Sequence, residues 1–395
     1  MRPFEGIRVI DTTHVLAGPF AVYQLALLGA DVVKIENPKS PDQGRLVGGG
    51  AEFAGRQMGV QYLTQGANKK SLTLDLKTPR GREILRQLLK NADVFTENYR
   101  PGSLEALGLG YDTLKEEFPS LIYCSLSAFG HTGPRKAQTA YDNVIQATSG
   151  MMAKTGTQAT APTKVGLPII DYATGLMGAF ALSSALFQRS RTGRGQRIDV
   201  AMCDVALALS TNYIMEYHLT GAPPRLEGNN HPHFATSGCY ETKAGLLMMG
   251  GANLAQQARI WQVLGRPEMV KQTNEERLAD RARETSLLAE LLKARTADEW
   301  EKLFMDNHVP AARVRQMDET LRDPQFATRN MTHHLEHVPS LGRDLTVPAG
   351  AFTFEHGGPR VDTSPPALGE QTDEILGGLG YSRAEIGRLR EEGII

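Results

Sequence analysis

Ile7-Arg-Val-Ile-Asp11, the apolar helical pattern from Phe20 to Leu28, and Asp31-Val-Val-Lys-Ile-Glu36 decide the fold. Two short apolar runs flank a stretch of helical period, which reads as one compact strand–helix–strand unit. The alternation then repeats. Thr78-Pro79 supplies an N-cap with proline at the first helical position. Ile84, Leu85, Leu88 and Leu89 give one apolar face, and Asp93-Val-Phe-Thr-Glu97 returns as a strand. Asp112 starts a short helix, and Leu121-Ile-Tyr-Cys-Ser125 reads as a further strand. This order predicts an α/β fold: an open, mostly parallel sheet of the nucleotide-binding type, with its ligand crevice at the carboxyl ends of the strands.

Beyond the helical stretch that begins near Ala173, the turn Thr192-Gly-Arg-Gly-Gln196 leads into the strand Arg197-Ile-Asp-Val-Ala201 and a helix to about Leu219. The character then changes. Gly221-Ala-Pro-Pro224 and Gly228-Asn-Asn-His-Pro232 read as linker and loop. Cys239-Tyr-Glu-Thr242 and Leu246-Leu-Met-Met249 form a hairpin around Lys243-Ala-Gly245. Helical segments follow from Leu254 to Asn307, with a capping box Thr296…Glu299, and a second box, Ser382…Glu385, marks the last helix. The expected division is a large α/β domain over residues 1–220, a smaller α+β domain over 225–330, and a C-terminal segment, 331–395, that returns to the large domain.

The 395 residues carry 43 basic and 44 acidic side chains, a net charge of −1. No global field recruits nucleic acid or an anionic membrane surface, so an anionic ligand has to be held locally. The N-terminus lacks an apolar leader, and no uninterrupted apolar stretch approaches membrane-spanning length, so a cytoplasmic enzyme is expected. Cys124, Cys203 and Cys239 show neither paired spacing nor metal-ligand spacing, which argues against a disulfide framework or a metal site.

Glu36 stands where dinucleotide-binding folds place the acid that binds the ribose. The first turn contradicts that use: His14-Val-Leu-Ala-Gly-Pro-Phe-Ala21 replaces the glycine fingerprint that lets backbone approach a pyrophosphate. A different residue stands out for chemistry. Asp171 closes the apolar run Val165-Gly-Leu-Pro-Ile-Ile170 and opens the small-residue stretch Tyr172-Ala-Thr-Gly-Leu-Met-Gly-Ala179. At a helix N-terminus the free amides and the dipole favour its ionised form. Such an acid is either a helix cap or, beside apolar walls, a nucleophile.

Several segments together resemble the class III CoA transferases, the family that includes formyl-CoA:oxalate, carnitine and succinyl-CoA:dicarboxylate CoA transferases. They are Thr13-His-Val-Leu-Ala-Gly-Pro-Phe20, Leu28-Gly-Ala-Asp-Val-Val-Lys-Ile-Glu36, Asn68-Lys-Lys-Ser-Leu-Thr-Leu-Asp-Leu-Lys77, Glu97-Asn-Tyr-Arg-Pro-Gly102, Gly130-His-Thr-Gly-Pro134, Tyr141-Asp-Asn-Val-Ile-Gln146, Thr192-Gly-Arg-Gly-Gln196 and Leu368-Gly-Glu370. The likeness runs nearly end to end. It implies an interlocked homodimer and a transferase that moves CoA from an acyl-CoA donor to a carboxylic acid acceptor, with a dicarboxylic acid expected. Asp171 aligns with the family's catalytic aspartate, which forms a mixed anhydride. CoA enters as substrate and no cofactor is permanently bound.

The same likeness assigns CoA contacts to Val15, Leu16 and Ala17, whose carbonyls and N–H groups approach the ligand. It extends them to Asn37, to Leu74, Asp75, Leu76 and Lys77, to Asn98, Tyr99, Arg100 and Leu107, to Thr139, Ala140, Tyr141 and Asp142, and to Met202. Gly250 and Gly251 match the family's mobile glycine loop. Leu16 departs from the Gln of formyl-CoA transferase, which weighs against an oxalate-specific site. Asn37 stands where that enzyme has Arg, and Lys39 or Arg45 are candidates to supply the missing charge. Arg45, Arg56 and Arg313 are candidates to clamp an acceptor carboxylate.

The alternative on the same fold is an α-methylacyl-CoA racemase, which places His before the acid of the segment that here reads Thr139-Ala-Tyr-Asp142. Tyr is a poor base near neutral pH. His131 lies too far upstream to substitute and reads as a loop histidine, as do His231 and His233. A non-catalytic CoA-binding protein is the rival from another class. Asp171 argues against it.

Overall fold

The computed structural model describes residues 1–223 and 225–395; of the linker Gly221–Pro224, the last residue lies outside the described residues. Six strands form one parallel sheet: β1 (Arg8–Asp11), β2 (Asp31–Glu36), β3 (Lys69–Thr73), β4 (Val94–Glu97), β5 (Ile122–Ser127) and β6 (Arg197–Ala201). Their order is β3-β2-β1-β4-β5-β6. This is the doubly wound arrangement, and the order reverses between β1 and β4, the switch point outside whose carboxyl ends such sheets bind ligands.

Alternation along each strand explains why the sheet is covered on both faces. Val9, Val32 and Val94 point to one side with Ala21, Val22, Leu25, Leu182 and Leu186. Their neighbours Ile10, Val33 and Phe95 point to the other, with Ile84, Leu85, Leu88 and Leu89. The helix Pro79–Leu89 begins as the sequence predicts, with Thr78 Oγ1 accepting from Gly81 N. The chain's end joins the second face through Ile375, Leu376, Ile386 and Leu389.

The helix Ile169–Thr192 lies against the first face and contributes Ala179, Leu182, Ala185 and Leu186 to it. At 24 residues it is long and apolar enough to cross a membrane by length and composition, contrary to the sequence reading. It packs against the sheet along one face, and the other face is exposed. Arg189 fixes its far end, with Nη2 donating to Asp93 Oδ1 at 2.6 Å, and Gly193 closes it in the left-handed conformation at φ 71°. Two residues on, a Cβ at Gly195 would overlap the Leu121 carbonyl. Gly195→Ala is therefore expected to lower stability by about 1–3 kcal/mol through overpacking, read as a fall in Tm.

Contacts within the chain divide it into two units. One comprises Met1–Ser149, Val165–Ile214 and Ala327–Ile395; the other comprises Gly150–Lys164 and Met215–Phe326. The expected 1–220 boundary is thus corrected, since Gly150–Lys164 packs with the smaller unit. Residues 157 and 228 show why: a Cβ at Gly228 would touch Thr157, and Gly228 N donates to Gly156 O at 3.0 Å.

The smaller unit holds an antiparallel sheet of β7 (Ser237–Glu241), β8 (Leu246–Gly250) and β9 (Ala311–Arg313), covered by helices through Trp261, Trp300 and Phe304. The predicted hairpin is the β7–β8 pair. In the larger unit, β10 (Thr332–Val338) and β11 (Arg343–Pro348) form a hairpin that the sequence reading missed.

Candidate active site

Asp171 is the third residue of the helix Ile169–Thr192, which starts at Ile169 and not near Ala173 as the sequence suggested. Asp171 does not cap it. Asp142 does, from another segment: its Oδ2 accepts from Ile170 N at 2.7 Å and from Asp171 N at 3.2 Å. The other oxygen, Oδ1, accepts from Gln146 Nε2 at 2.5 Å, and Gln146 Oε1 accepts from Val165 N at 2.8 Å. Asp142 and Gln146 are both buried. The capping alternative for Asp171 therefore falls away, and its carboxylate is left for chemistry.

The charge state differs from the expectation. Burial, and after it the neighbouring Asp142 carboxylate, push the Asp171 carboxyl up to about 7. The helix dipole alone favours the anion, but its first amides are already spent on Asp142. A carboxyl titrating near neutrality is a more basic, stronger nucleophile once ionised, and perturbed groups of this kind mark functional sites.

Small residues let a second element reach this turn. A Cβ at Gly175 would lie 2.8 Å from Ala17 O. Its absence lets the helix Ala17–Leu27 pack directly on the Asp171 helix, with the Phe20 and Tyr172 rings edge-on at 4.9 Å. The nucleophile's turn thus abuts the loop that follows β1.

Many residues assigned to CoA lie at the carboxyl ends of the four strands around this switch point: Val15, Leu16 and Ala17 after β1, Asn37 after β2, Leu74 to Lys77 after β3, and Asn98, Tyr99 and Arg100 after β4. The sheet order brings these four loops to one end. Within them, several expectations are corrected. Val15 N donates to Asp42 Oδ1 at 2.9 Å, so the amide is not free for a ligand, and Val15 O already accepts from Gln65 Nε2 at 2.7 Å. Val15 has φ 71°, a conformation that costs a β-branched residue on the order of 1–3 kcal/mol. The amides next in line are those of Ala17 and Gly18, which as the first of a helix have no intrahelical acceptor.

Leu74 and Leu76 are core side chains, so only their backbone is available to a ligand. Lys77 and Arg100 are exposed, Leu107 and Tyr99 pack partly on the core, and Asp75 Oδ1 accepts from Lys77 N at 3.0 Å. Asn98 brackets His14, accepting from its N and donating to its O, both at 2.8 Å. Asn37 is engaged in a local turn, its Oδ1 accepting from Lys39 N and Ser40 N.

Arg45 does not replace the missing charge. It is fully buried, its Nε and Nη2 bonding Glu36 at 2.7 and 2.6 Å, and it stacks 3.7 Å over the Tyr62 ring. That pairing also removes Glu36 as a ribose ligand. Neither of the other candidate clamps is free: Arg56 donates to Leu341 O, and Arg313 pairs with Asp298 and Glu319.

Thr139, Ala140, Tyr141 and Asp142 lead into the helix Asp142–Thr148, and Met202, buried, opens the helix after β6. Tyr141 is exposed, its hydroxyl 3.3 Å from Gln43 Nε2. His131 sits elsewhere, 4.0 Å from Glu97 and 3.9 Å from Glu105, as a loop histidine. Gly250 ends β8 in the smaller unit and Gly251 follows it. Gly251 is not loose: its carbonyl accepts from Arg277 Nη2 and Thr236 Oγ1, both at 2.7 Å, and its N donates to Thr236 O at 2.9 Å. His231 stacks on Phe234 at 4.6 Å in the same unit.

Gln146, Asp42, Gln65 and Lys34 carry positions in this site that the sequence reading did not assign. Only Gln146 had a local signal, its spacing of four from Asp142 on one helix.

The profile of CoA-transferase family III matches residues 4–372. Succinyl-CoA:glutarate CoA-transferase of Homo sapiens is 33% identical, with 100% of this chain and 90% of that protein aligned. Succinate–glutarate CoA-transferase of Agrobacterium fabrum is 35% identical over 95% of this chain and 96% of that protein. A CAIB/BAIF family protein from Brucella suis, 33% identical, superposes with a TM-score of 0.84 over 96% of this chain and 99% of its own. Both named relatives are CoA transferases, which disfavours the racemase reading. The chain is an enzyme of CoA-transferase family III.

Proposed function

We propose that the protein transfers CoA from an acyl-CoA donor, succinyl-CoA in the first instance, to a dicarboxylic acid through covalent chemistry on Asp171. The observation that carries this is the Asp171 carboxylate, freed from capping by Asp142 and raised to about 7 by burial. The names of the two relatives support the substrate class, succinate and glutarate both being dicarboxylates.

In the first step, ionised Asp171 attacks the donor thioester carbonyl and the C–S bond breaks, giving a mixed anhydride and CoA thiolate. The thiolate attacks the Asp171 carbonyl carbon and expels the donor carboxylate, leaving an aspartyl-CoA thioester. The acceptor carboxylate attacks that thioester, again releasing thiolate and forming a second anhydride. Thiolate then attacks the acceptor's acyl carbon, giving the new acyl-CoA and restoring Asp171. No proton is gained or lost overall. Water is the competing nucleophile at both anhydrides, and the Phe20–Tyr172 contact beside the helix start contributes apolar surface against it. CoA acts throughout as substrate, not as a resident cofactor.

The functional species is a homodimer. Leu176, Phe180 and Phe187 fall on one face of the Asp171 helix and are 54%, 69% and 66% exposed, with Leu207 and Leu209 also exposed on the helix Met202–Leu209. An apolar stripe of this kind marks a protein–protein surface, and a second copy is the occupant.

Incubation with succinyl-CoA and a panel of dicarboxylates, followed by chromatography of the CoA esters, tests the activity. Acceptor-dependent appearance of a new acyl-CoA is expected. Hydrolysis alone, or α-deuteration of a 2-methylacyl-CoA without transfer, would sink it.

A further inference from the structure

Three consecutive residues after β1 have every main-chain polar group engaged by a side chain. Thr13 N donates to Asp11 Oδ1 at 2.9 Å, and Thr13 O accepts from Lys34 Nζ at 2.7 Å. His14 is bracketed by Asn98, as described, and Val15 by Asp42 and Gln65. Side chains from β1 and β2, from the loops after β2 and β4, and from beyond the helix Val60–Leu63 thus converge on one short stretch. Loop backbone is usually left to water or to turns, so a buried frame of this kind is a device for fixing position.

Lys34 and Asp42 tie the frame together. Their side chains are each only 2% exposed, Nζ and Oδ2 are 3.0 Å apart, and the pair reaches Thr13 on one side and Val15 on the other. Asp42 Oδ1 also accepts from Gly44 N at 2.9 Å, and Asp42 N donates to Glu36 Oε1 at 3.2 Å, which links the pair to the Glu36–Arg45 bridge. Burial works against both charges. For Lys34 the Asp42, Asp11 and Glu36 carboxylates outweigh it, and for Asp42 the Lys34 ammonium does, so the pair stays ionised. Val15 is where the extended chain turns left-handed, two residues before the helix Ala17–Leu27 begins. In dinucleotide-binding folds glycine supplies that freedom; here a β-branched residue is held there by its neighbours.

We propose that Lys34 and Asp42 are positioning residues for the transfer reaction: as one buried ion pair they hold Val15 in its left-handed turn and thereby set the start of the helix that packs on the Asp171 turn. This rests on Asp171 as the nucleophile. It assigns the two residues no contact with substrate.

The test uses the full-length protein with Lys34→Met/Asp42→Leu, which removes both charges together and avoids leaving one unpaired. Gln65→Leu, which removes only the bond to Val15 O, serves if the double variant does not fold. In folded variants, kcat is expected to fall about 10–100-fold in the double variant and about 3–10-fold in Gln65→Leu, with KM for succinyl-CoA moving less than kcat. Amide hydrogen exchange over residues 13–17, which needs no turnover, is expected to accelerate in the double variant and in Gln65→Leu. A folded double variant or Gln65→Leu with wild-type kcat and unchanged exchange would overturn the proposal. Faster exchange in a protein whose wild type performs no CoA transfer would instead overturn the assigned function while leaving the frame intact.

Discussion

Asp171→Asn is expected to lower kcat for CoA transfer by about a thousandfold or more, which corresponds to about 4 kcal/mol of transition-state stabilisation. The amide has the shape of the carboxylate but is no nucleophile, so neither the anhydride nor the aspartyl thioester forms. Affinity for CoA should change little, because most of the segments assigned to it lie at the carboxyl ends of β1 to β4 and Asn preserves the helix start capped by Asp142, itself one of the assigned residues. Steady-state kinetics and calorimetric titration with CoA separate the two effects. A matching loss of affinity would make Asp171 a binding residue.

The same substitution should stabilise the protein at alkaline pH. Asp171 titrates near 7 in the fold, against 3.8 for an ordinary aspartate, because burial disfavours its charge and Asp142 repels it. A raised carboxyl contributes stability that is fully present below the unfolded value and is lost as pH rises through 7. Asn stays neutral throughout. The variant's Tm should therefore exceed that of the wild type at pH 8, with the difference closing toward pH 4. A nucleophile that costs stability in this way is a common trade at active sites.

Asp142 yields the second large effect, and its two variants separate charge from geometry. Asp142→Ala removes both bonds that hold the first turn, to Ile170 N and Asp171 N, and strands the Gln146 amide. Misplacement of the nucleophile on the scale of an ångström is expected to cost kcat about 100-fold. Asp142→Asn keeps an oxygen for those amides but deletes the charge. The wild-type rate should rise with pH through about 7 as Asp171 ionises. In Asp142→Asn that limb should move to lower pH while staying above the ordinary carboxylate range, since burial, the larger cause, remains. A pH–kcat/KM profile reads this directly, and an unmoved limb would separate Asp142 from the titration of Asp171.

The central strands were legible because a sheet buried on both faces reads as short apolar runs, as at Val32-Val33 and Val94-Phe95. The hairpin of β10 and β11 was not. Its strand Thr332-His-His-Leu-Glu-His-Val338 is mostly polar and exposed, and the register shifts between Leu335 and Val338, which breaks the period of two. Asp171 could be placed at a helix start from its neighbours alone. That Asp142 caps that helix could not, because the partner is 29 positions away and only the fold brings them together.

The CoA loops show the same limit at finer scale. Sequence likeness located Val15 and residue type suggested Arg45, but their bonding comes from elsewhere. Asp42 and Gln65 occupy the Val15 backbone, and Glu36 draws Arg45 into the interior. Residue type suggested a ligand-facing amide and a free cation. Tertiary contacts removed both.

The most direct test of the chemistry is intact-protein and peptide mass spectrometry after mixing with succinyl-CoA in the absence of acceptor, with hydroxylamine added to trap activated carboxyls. The account predicts a CoA adduct, and after trapping a hydroxamate, on the peptide containing Asp171 and nowhere else, absent from Asp171→Asn. Transfer that proceeds without any adduct, or an adduct that persists in Asp171→Asn, would contradict it.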